Sequence, residues 1–260
     1  MSYADVNGQR LYYEDSGGDG PAVVFSHGFL MDHEMFAPQV AAMTPEFRVV
    51  TWDERGFGAT EFDGKPFDYW DSARDCLGLL DHLGIEQAVL GGMSQGGFLS
   101  MRAALLAPER VRALVLIDTH AGEEDPEKAP LYQGMLEAWA TEGPGDALAE
   151  VVAGIIIADP DHDPYWIAKW QAWPRERIVE PGRCLLEREA ITDRLGEISC
   201  PALVIHGTED TAVPVAAGQQ LAASLPGADA VVLVDGAAHA SNLTHPEQVN
   251  PPLLAFLRLL

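Results

Sequence analysis

At 260 residues, 47% of them hydrophobic, the chain is long enough for one large α/β domain, or for such a core with a small insertion. Its formal net charge of −24 argues against nucleic acid and anionic membrane surfaces as partners, because both would repel it. There is no apolar run of roughly 18 residues to cross a membrane, and the start Met1-Ser2-Tyr3-Ala4-Asp5 lacks the basic-then-apolar pattern of a secretion signal.

Residues 2–6 and 10–15 alternate around Asn7-Gly8, a dipeptide that closes hairpins. After a glycine-rich loop, residues 22–25 form a short apolar run suited to a strand covered on both faces, ending at His27-Gly28-Phe29-Leu30. Residues 34–43 predict a helix that stops before Pro45, and residues 47–52 a strand that ends in Asp53-Glu54-Arg55-Gly56-Phe57-Gly58. A long helix is expected over 68–83, with Asp68 or Asp71 as its cap and Gly84 at its end. The apolar run 88–90 leads into Gly91-Gly92-Met93-Ser94-Gln95-Gly96-Gly97 and then a helix-like run over 98–106. Residues 111–117 read as a further strand, ending at Asp118.

Beyond Asp118 the rhythm changes. Residues 121–130 are acidic and contain prolines, and 131–192 carry helical patterns without a core-type strand. Four of the six tryptophans fall here: Trp139, Trp166, Trp170 and Trp173. The chain is therefore divided into a core of residues 1–119 and 198–260 and a helical cap of residues 120–197. Strand–helix alternation resumes with strands at 202–205 and 230–234 and a helix at 215–225. The tail, 253–260, predicts a closing helix that begins around Pro252. The fold class is α/β: a mostly parallel sheet with helices on both faces. Ligands of such sheets bind at the carboxyl ends of the strands, where every polar motif noted above sits.

Gly92-Met93-Ser94-Gln95-Gly96 has the G-x-S-x-G pattern in a strand-to-helix context. Small residues two before and two after a serine let strand and helix approach closely, and the serine Oγ then projects at the positive end of a helix. The reading is a nucleophile. Among eight histidines, His239 is the candidate base, because it follows a strand in the small-residue loop Gly236-Ala237-Ala238. Asp210, ahead of Pro214, is the candidate acid, to fix the His239 tautomer; Asp118 is its rival. The backbone N–H groups of Phe29 and Gln95 are the candidate oxyanion donors, and His27 is read as a brace for its loop.

Taken together, these motifs resemble the α/β-hydrolase superfamily, in its compact bacterial branch of esterases, enol-lactonases, C–C bond hydrolases and cofactor-free haloperoxidases. The resemblance covers nearly the whole chain, and the order Ser94, Asp210, His239 matches that family's triad. Two departures stand out: Thr60 where serine is frequent after the Arg-Gly-x-Gly turn, and Pro251-Pro252 in a closing helix that usually runs unbroken. The resemblance implies a serine hydrolase that cleaves a carboxylic ester or lactone through an acyl-enzyme. Alternatives that share the triad are a C–C hydrolase, which would use cap cations among Arg175, Arg177, Arg183 and Arg188, and a perhydrolase or haloperoxidase. A non-enzymatic ligand receptor on the same fold is a fourth.

Substrate contacts are expected from Trp139, Trp166, Trp170 and His120, which points to a small apolar or aromatic substrate. No cofactor or metal is expected. The 159–164 loop alternates carboxylates but lacks the glycine and terminal glutamate of a calcium loop, and no zinc, phosphate-loop or dinucleotide motif is present. Three widely spaced cysteines, Cys76, Cys184 and Cys200, form no disulfide framework and fit a cytoplasmic location.

Overall fold

The computed structural model describes residues 2–44 and 46–260. The hairpin forms as its sequence dictates: β1 (Ser2–Val6) and β2 (Gln9–Asp15) pair antiparallel, with Asn7 and Gly8 both at positive φ (47° and 77°) in the turn. β2 continues antiparallel onto β4 (Arg48–Trp52). From there β3 (Ala22–Ser26), β5 (Ala88–Met93), β6 (Val111–Ile117), β7 (Ala202–Gly207) and β8 (Val232–Val234) are all parallel, giving an eight-stranded sheet in the order β1-β2-β4-β3-β5-β6-β7-β8.

Parallel strands carry apolar residues on both faces, and here the faces divide cleanly. Val24, Val50, Leu90, Leu114 and Val204 pack against helices α2 (Tyr69–His82), α3 (Gln95–Leu106) and α8 (Val215–Ser224). Their strand neighbours Val23, Val49, Val89, Val115 and Ile205 turn to the other face, against α1 (Ala37–Met43) and α10 (Pro246–Leu257). Asp68, rather than Asp71, is the cap of α2: its carboxylate accepts from the Trp70 and Asp71 N–H groups, and Asp71 reaches back in a capping box.

Between β6 and β7 the chain forms four helices and no strand: α4 (Ala129–Glu142), α5 (Asp146–Ile156), α6 (Asp163–Ala172) and α7 (Val179–Leu186). Trp139, Val152, Trp166 and Trp170 from these helices join the apolar cluster on the α1/α10 side of the sheet. The short helix α9 (Ser241–Thr244) follows the His239 loop.

Three expectations are corrected. The first helix is split into a 3-10 turn, His33–Phe36, capped by the Asp32 carboxylate, and then α1; Pro45, expected to stop it, lies outside the described residues. β8 covers three residues rather than five. The closing helix does not start near Pro252: α10 begins at Pro246 and runs through both Pro251 and Pro252. Two intrahelical bonds are lost there, a cost of about 3 kcal/mol for each interior proline. Tertiary packing offsets it. Val249, Leu253 and Leu257 are buried, and the Gln39 amide ties Asn250 Oδ1 and the Asn242 carbonyl to α1, both at 2.9 Å.

Candidate active site

The turn at Ser94 is strained where a nucleophile would have to be. Ser94 holds φ 52° and ψ −114°, in the left-handed half of the map that a β-carbon disfavours. Such a residue costs about 1–3 kcal/mol and persists only where its surroundings over-determine it. They do so here. The Ser94 N–H donates to the Ile117 carbonyl at 2.9 Å, and the Ser94 carbonyl accepts from Thr119 Oγ1 at 2.7 Å and from Gly97 N–H at 2.9 Å. The flanking glycines are sterically required: a Cβ on Gly92 would collide with the Gly96 backbone, and one on Gly96 with the Ser26 carbonyl.

Asp210 and His239, the candidate acid and base, lie in contact. His239 Nδ1 lies 2.8 Å from Asp210 Oδ2, and both side chains are buried. The other carboxylate oxygen accepts from the Ala212 and Val213 N–H groups at 2.9 Å each. Burial alone would raise the Asp210 carboxyl, but His239, the His206 hydrogen bond and the backbone donors outweigh it and hold it well below the usual carboxylate range. His206 was not singled out in the sequence. Its Nε2 lies 3.3 Å from Asp210 Oδ2 and donates to the Val213 carbonyl at 2.9 Å, so Asp210 sits between two imidazoles.

The rival acid turns elsewhere. Asp118 accepts from Gly207 N–H (2.7 Å), Ser241 N–H (3.0 Å) and Ser241 Oγ (2.6 Å), stitching β6 to β7 and α9. Burial, with the Asp210 charge beside it, pushes its carboxyl up to about 6. Glu209 is exposed, and His245 caps α10.

Ser94 and His239 line one cavity of about 120 Å³, together with Phe29, His120, Trp139 and a mostly apolar wall from α4 and α5. Among the described residues, no hydrogen bond joins Ser94 Oγ to the His239 ring. Catalytic contacts of this kind are often loose in ligand-free enzymes. Phe29 follows Gly28, where a Cβ would strike Met93 Sδ, so the loop lies close over the end of β5. Among the described residues, neither the Phe29 nor the Gln95 N–H is taken up by another group.

That loop is braced on both sides. His27 Nδ1 donates to the Gly28 carbonyl at 2.8 Å, and its Nε2 accepts from Glu54 N–H at 3.0 Å, which sets the tautomer. Burial pushes the His27 pKa down and favours this neutral form. Thr60 supplies the hydroxyl that serine often supplies, donating to the Asp53 carbonyl at 2.6 Å and accepting from Tyr12 N–H at 2.9 Å. The Gln95 side chain is held between Glu54 Oε1 and Tyr69 Oη, each at 3.2 Å.

The cap residues divide. Trp139 and His120 line the cavity with Ser94; Trp166 and Trp170 do not. They line a second cavity of about 450 Å³ on the other side of Leu30, beside Asp32, His33, Lys169 and Arg177. They were expected to contact substrate, but the α6 face they share packs beside the Leu30 loop rather than over Ser94. Trp170 does reach the site indirectly: its Nε1 donates to the Leu30 carbonyl at 2.7 Å. Of Arg175, Arg177, Arg183 and Arg188, only Arg188 lines the Ser94 cavity. Arg177 lines the second cavity, and Arg183 is taken up by Glu180 and Glu187.

Two clusters bring three metal-type ligand atoms within 4.8 Å of one another: Asp32-His33-Asp53 and Asp118-His206-Asp210. Both are threaded by internal partners. The Lys169 ammonium lies against Asp32 and His33 bonds Asp53 in the first, while His239 engages Asp210 in the second.

The strained serine at the end of a central parallel strand, with an Asp–His pair delivered by the next strands, defines a hydrolase of the α/β class. The family model described as the alpha/beta hydrolase fold matches residues 21–160, and the chain belongs to that family. An enol-lactonase structure from Burkholderia xenovorans LB400 is 30% identical, with a TM-score of 0.87 over 99% of this chain and 100% of that one. A thermophilic esterase structure from Thermogutta terrifontis, with malate bound, is 28% identical, with a TM-score of 0.89 over 99% and 97%. The 3-oxoadipate enol-lactonase 2 of Acinetobacter baylyi is 29% identical over 92% of this chain and 90% of its own. Carbamate hydrolase and haloperoxidase names also occur among relatives at 29–31% identity. Among the described residues, no helix is long and apolar enough to cross a membrane.

Proposed function

We propose that the chain is a serine hydrolase acting on carboxylic esters or lactones, with Ser94, His239 and Asp210 as its triad and residues 120–197 as its cap. The observation that carries this reading is the strained Ser94 turn opening into the cavity that the Asp210-bound His239 also lines. His239 takes the Ser94 proton as the Oγ attacks the carbonyl carbon. The Phe29 and Gln95 N–H groups stabilise the oxyanion, in a cavity whose apolar walls strengthen those bonds. Collapse of the tetrahedral intermediate breaks the bond to the leaving alkoxide, which receives the proton from His239. A water molecule, activated by the same imidazole, then releases the acid and restores Ser94. Asp210 keeps Nδ1 protonated throughout and stabilises the imidazolium.

The C–C hydrolase reading needs a free cation for a dienoate, and the one cap arginine at this cavity, Arg188, is already paired with Glu124 at 2.7 Å. A screen of p-nitrophenyl esters of graded chain length with lactones and carbamates, beside a peroxide–halide assay, tests the proposal. Ester or lactone turnover by the wild type that disappears in Ser94→Ala supports it. Turnover that survives Ser94→Ala, or halogenation without ester hydrolysis, overturns it.

A further inference from the structure

The cavity that holds Ser94 and His239 is not uniformly apolar. Besides those two it has one other group of polar side chains, His120, Glu124, Tyr132 and Arg188, set among Phe98, Leu136, Trp139, Val152 and Ile156. The donors and acceptors of this group do not balance. Both carboxylate oxygens of Glu124 are occupied, by Arg188 Nη1 at 2.7 Å and by Asp125 N–H at 3.0 Å. Arg188 Nη1 also donates to the Leu185 carbonyl at 2.9 Å, and Nε to the Gly122 carbonyl at 3.2 Å. Nη2 has two hydrogens and one neighbour, His120 Nε2 at 3.0 Å. At least one Nη2 hydrogen is therefore left over.

The imidazole adds to the surplus. His120 Nδ1 faces the Gly122 N–H at 3.1 Å while Nε2 faces Arg188, so each ring nitrogen meets a donor. Burial and the Arg188 charge push the His120 pKa down to about 3, so the ring is neutral. A neutral imidazole has one acceptor nitrogen and cannot satisfy both. If Nδ1 accepts from Gly122, an Nε2–H and the Arg188 Nη2 hydrogens confront each other. Among the described residues the Tyr132 hydroxyl has no hydrogen-bond partner either. The group thus has more donor hydrogens than partners: a spare Arg188 Nη2 hydrogen, an imidazole N–H that faces another donor, and the Tyr132 hydroxyl, which can donate or accept. Its formal charge is already balanced, because Glu124 neutralises Arg188 and both side chains are at most 10% exposed.

We infer that this group is a specificity site for the substrate, built to receive a second, uncharged oxygen acceptor (a ketone, ether or amide oxygen) remote from the scissile carbonyl, and to reject a second carboxylate. The inference rests on the ester-hydrolase reading of the same cavity. An uncharged acceptor fills the spare donors of Arg188, His120 and Tyr132 without a new buried charge. A carboxylate would gain the same bonds but would leave Glu124 and itself sharing one guanidinium in an apolar cavity, where an unmatched charge is costly.

The test uses three p-nitrophenyl esters matched in length, whose acyl chains end in a methyl ketone, an alkyl group or a carboxylate. A parallel set carries the same ends on the alcohol side. In one of the two sets the wild type is expected to favour the ketone over the alkyl ester by about tenfold in kcat/KM, the worth of a hydrogen bond to a charged donor. It is expected to favour the ketone over the carboxylate by about 100-fold. Glu124→Gln frees the guanidinium charge, and the carboxylate ester should then gain at least tenfold relative to the ketone. Hydrolysis of all three ends at comparable rates in both sets, or a folded and active Glu124→Gln with an unchanged ketone-to-carboxylate ratio, overturns the inference and leaves ester hydrolysis standing. If the wild type cleaves none of the esters, the ester reading itself falls and this inference with it. Should Glu124→Gln fail to fold, the wild-type series decides alone.

Discussion

The strand-end loops of the core and the four helices between β6 and β7 contribute to one cavity, yet they are built on different physical terms. In the core, positions are dictated by backbone constraints. Ser94 is held at positive φ, Gly92 and Gly96 admit no Cβ, and Asp210 is fixed by two backbone donors and two imidazoles. In the helices, the cavity wall is a set of side chains such as Leu136, Trp139, Val152 and Ile156 on amphipathic surfaces, where any apolar residue of similar volume satisfies the fold. On the proposed reading the core carries the reaction and the helices its selectivity. Substitutions should therefore separate loss of turnover from change of preference.

The largest effect is expected at the proposed nucleophile. Ser94→Ala should lower kcat for any ester by on the order of 10⁵-fold or more, with an unchanged far-UV circular dichroism spectrum. Ser94→Gly should be equally inactive but more stable than Ser94→Ala in urea, because glycine removes the cost of positive φ. Equal stability of the two would show that the turn is not strained. Asp210→Asn should follow, at about 10⁴-fold in kcat, because the amide no longer imposes the Nδ1–H tautomer on His239. It also has a pH signature. The Asp210 carboxyl titrates lower in the folded chain than in the unfolded one, where carboxyls of this kind titrate near 4. The stability it contributes is therefore complete above that value and is lost as pH falls through the lower folded pKa. Melting temperatures followed from neutral to acid pH should show that loss in the wild type and a flatter acid limb in Asp210→Asn.

This contrast explains what could be read from the residues alone. The strained turn at Ser94 and the meeting of Asp210 with His239 were legible because a G-x-S-x-G turn, a strand-end acid and a small-residue loop leave local signatures in glycine spacing and strand order. The sheet was legible for the same reason, through short apolar runs such as 22–25 and 111–117. Trp166 and Trp170 misled because a helical spacing of 4 places them on one face without saying which neighbour that face meets; it meets the Leu30 loop. The Arg188–Glu124 pair and the contact of His206 with Asp210 were not legible, since each depends on how separate segments pack. The proline pair in α10 misled in the opposite sense, because a strong local rule was outweighed by burial of Val249 and Leu253 and by the Gln39 bridge.

Within the helices, Trp170 and Trp139 sharpen the division further. Trp170 bonds the Leu30 carbonyl in the loop that carries Phe29, whereas Trp139 forms cavity wall. Trp170→Phe keeps the ring and removes the bond that steadies the loop carrying Phe29. It should lower kcat about tenfold for every ester with little change in KM, given the worth of one buried hydrogen bond. Trp139→Leu enlarges the cavity and should shift the preferred chain length, read in KM across a graded ester series, with kcat for the best substrate within about threefold of wild type. The reverse pattern would mean that α6 forms the substrate wall and α4 supports the loop.

The smallest effect is expected at a core residue that lacks both strain and charge, which asks whether the core is intolerant as a whole or only where those two act. Glu54 is fully buried beside Gln95; burial raises its carboxyl well above the usual range, and the Gln95 hydrogen bond only partly opposes this. Its neighbour Asp53, although equally buried, is held below its ordinary value by His33 and the Ala59 N–H. Two adjacent acids are therefore shifted in opposite directions. Glu54→Gln preserves shape and the Oε1 acceptor for Gln95, so kcat should stay within about threefold and stability within about 1 kcal/mol at mildly acid pH. Because the folded pKa of Glu54 is raised, the wild type loses stability as pH climbs above the unfolded carboxyl value of about 4.3, and the glutamine variant does not. The variant should thus gain on the wild type in melting temperature as pH rises above that unfolded value. A loss of turnover approaching that of Asp210→Asn would show instead that Glu54 works as an ionised group, and the core would then depend on two carboxylates rather than on Asp210 alone for its chemistry.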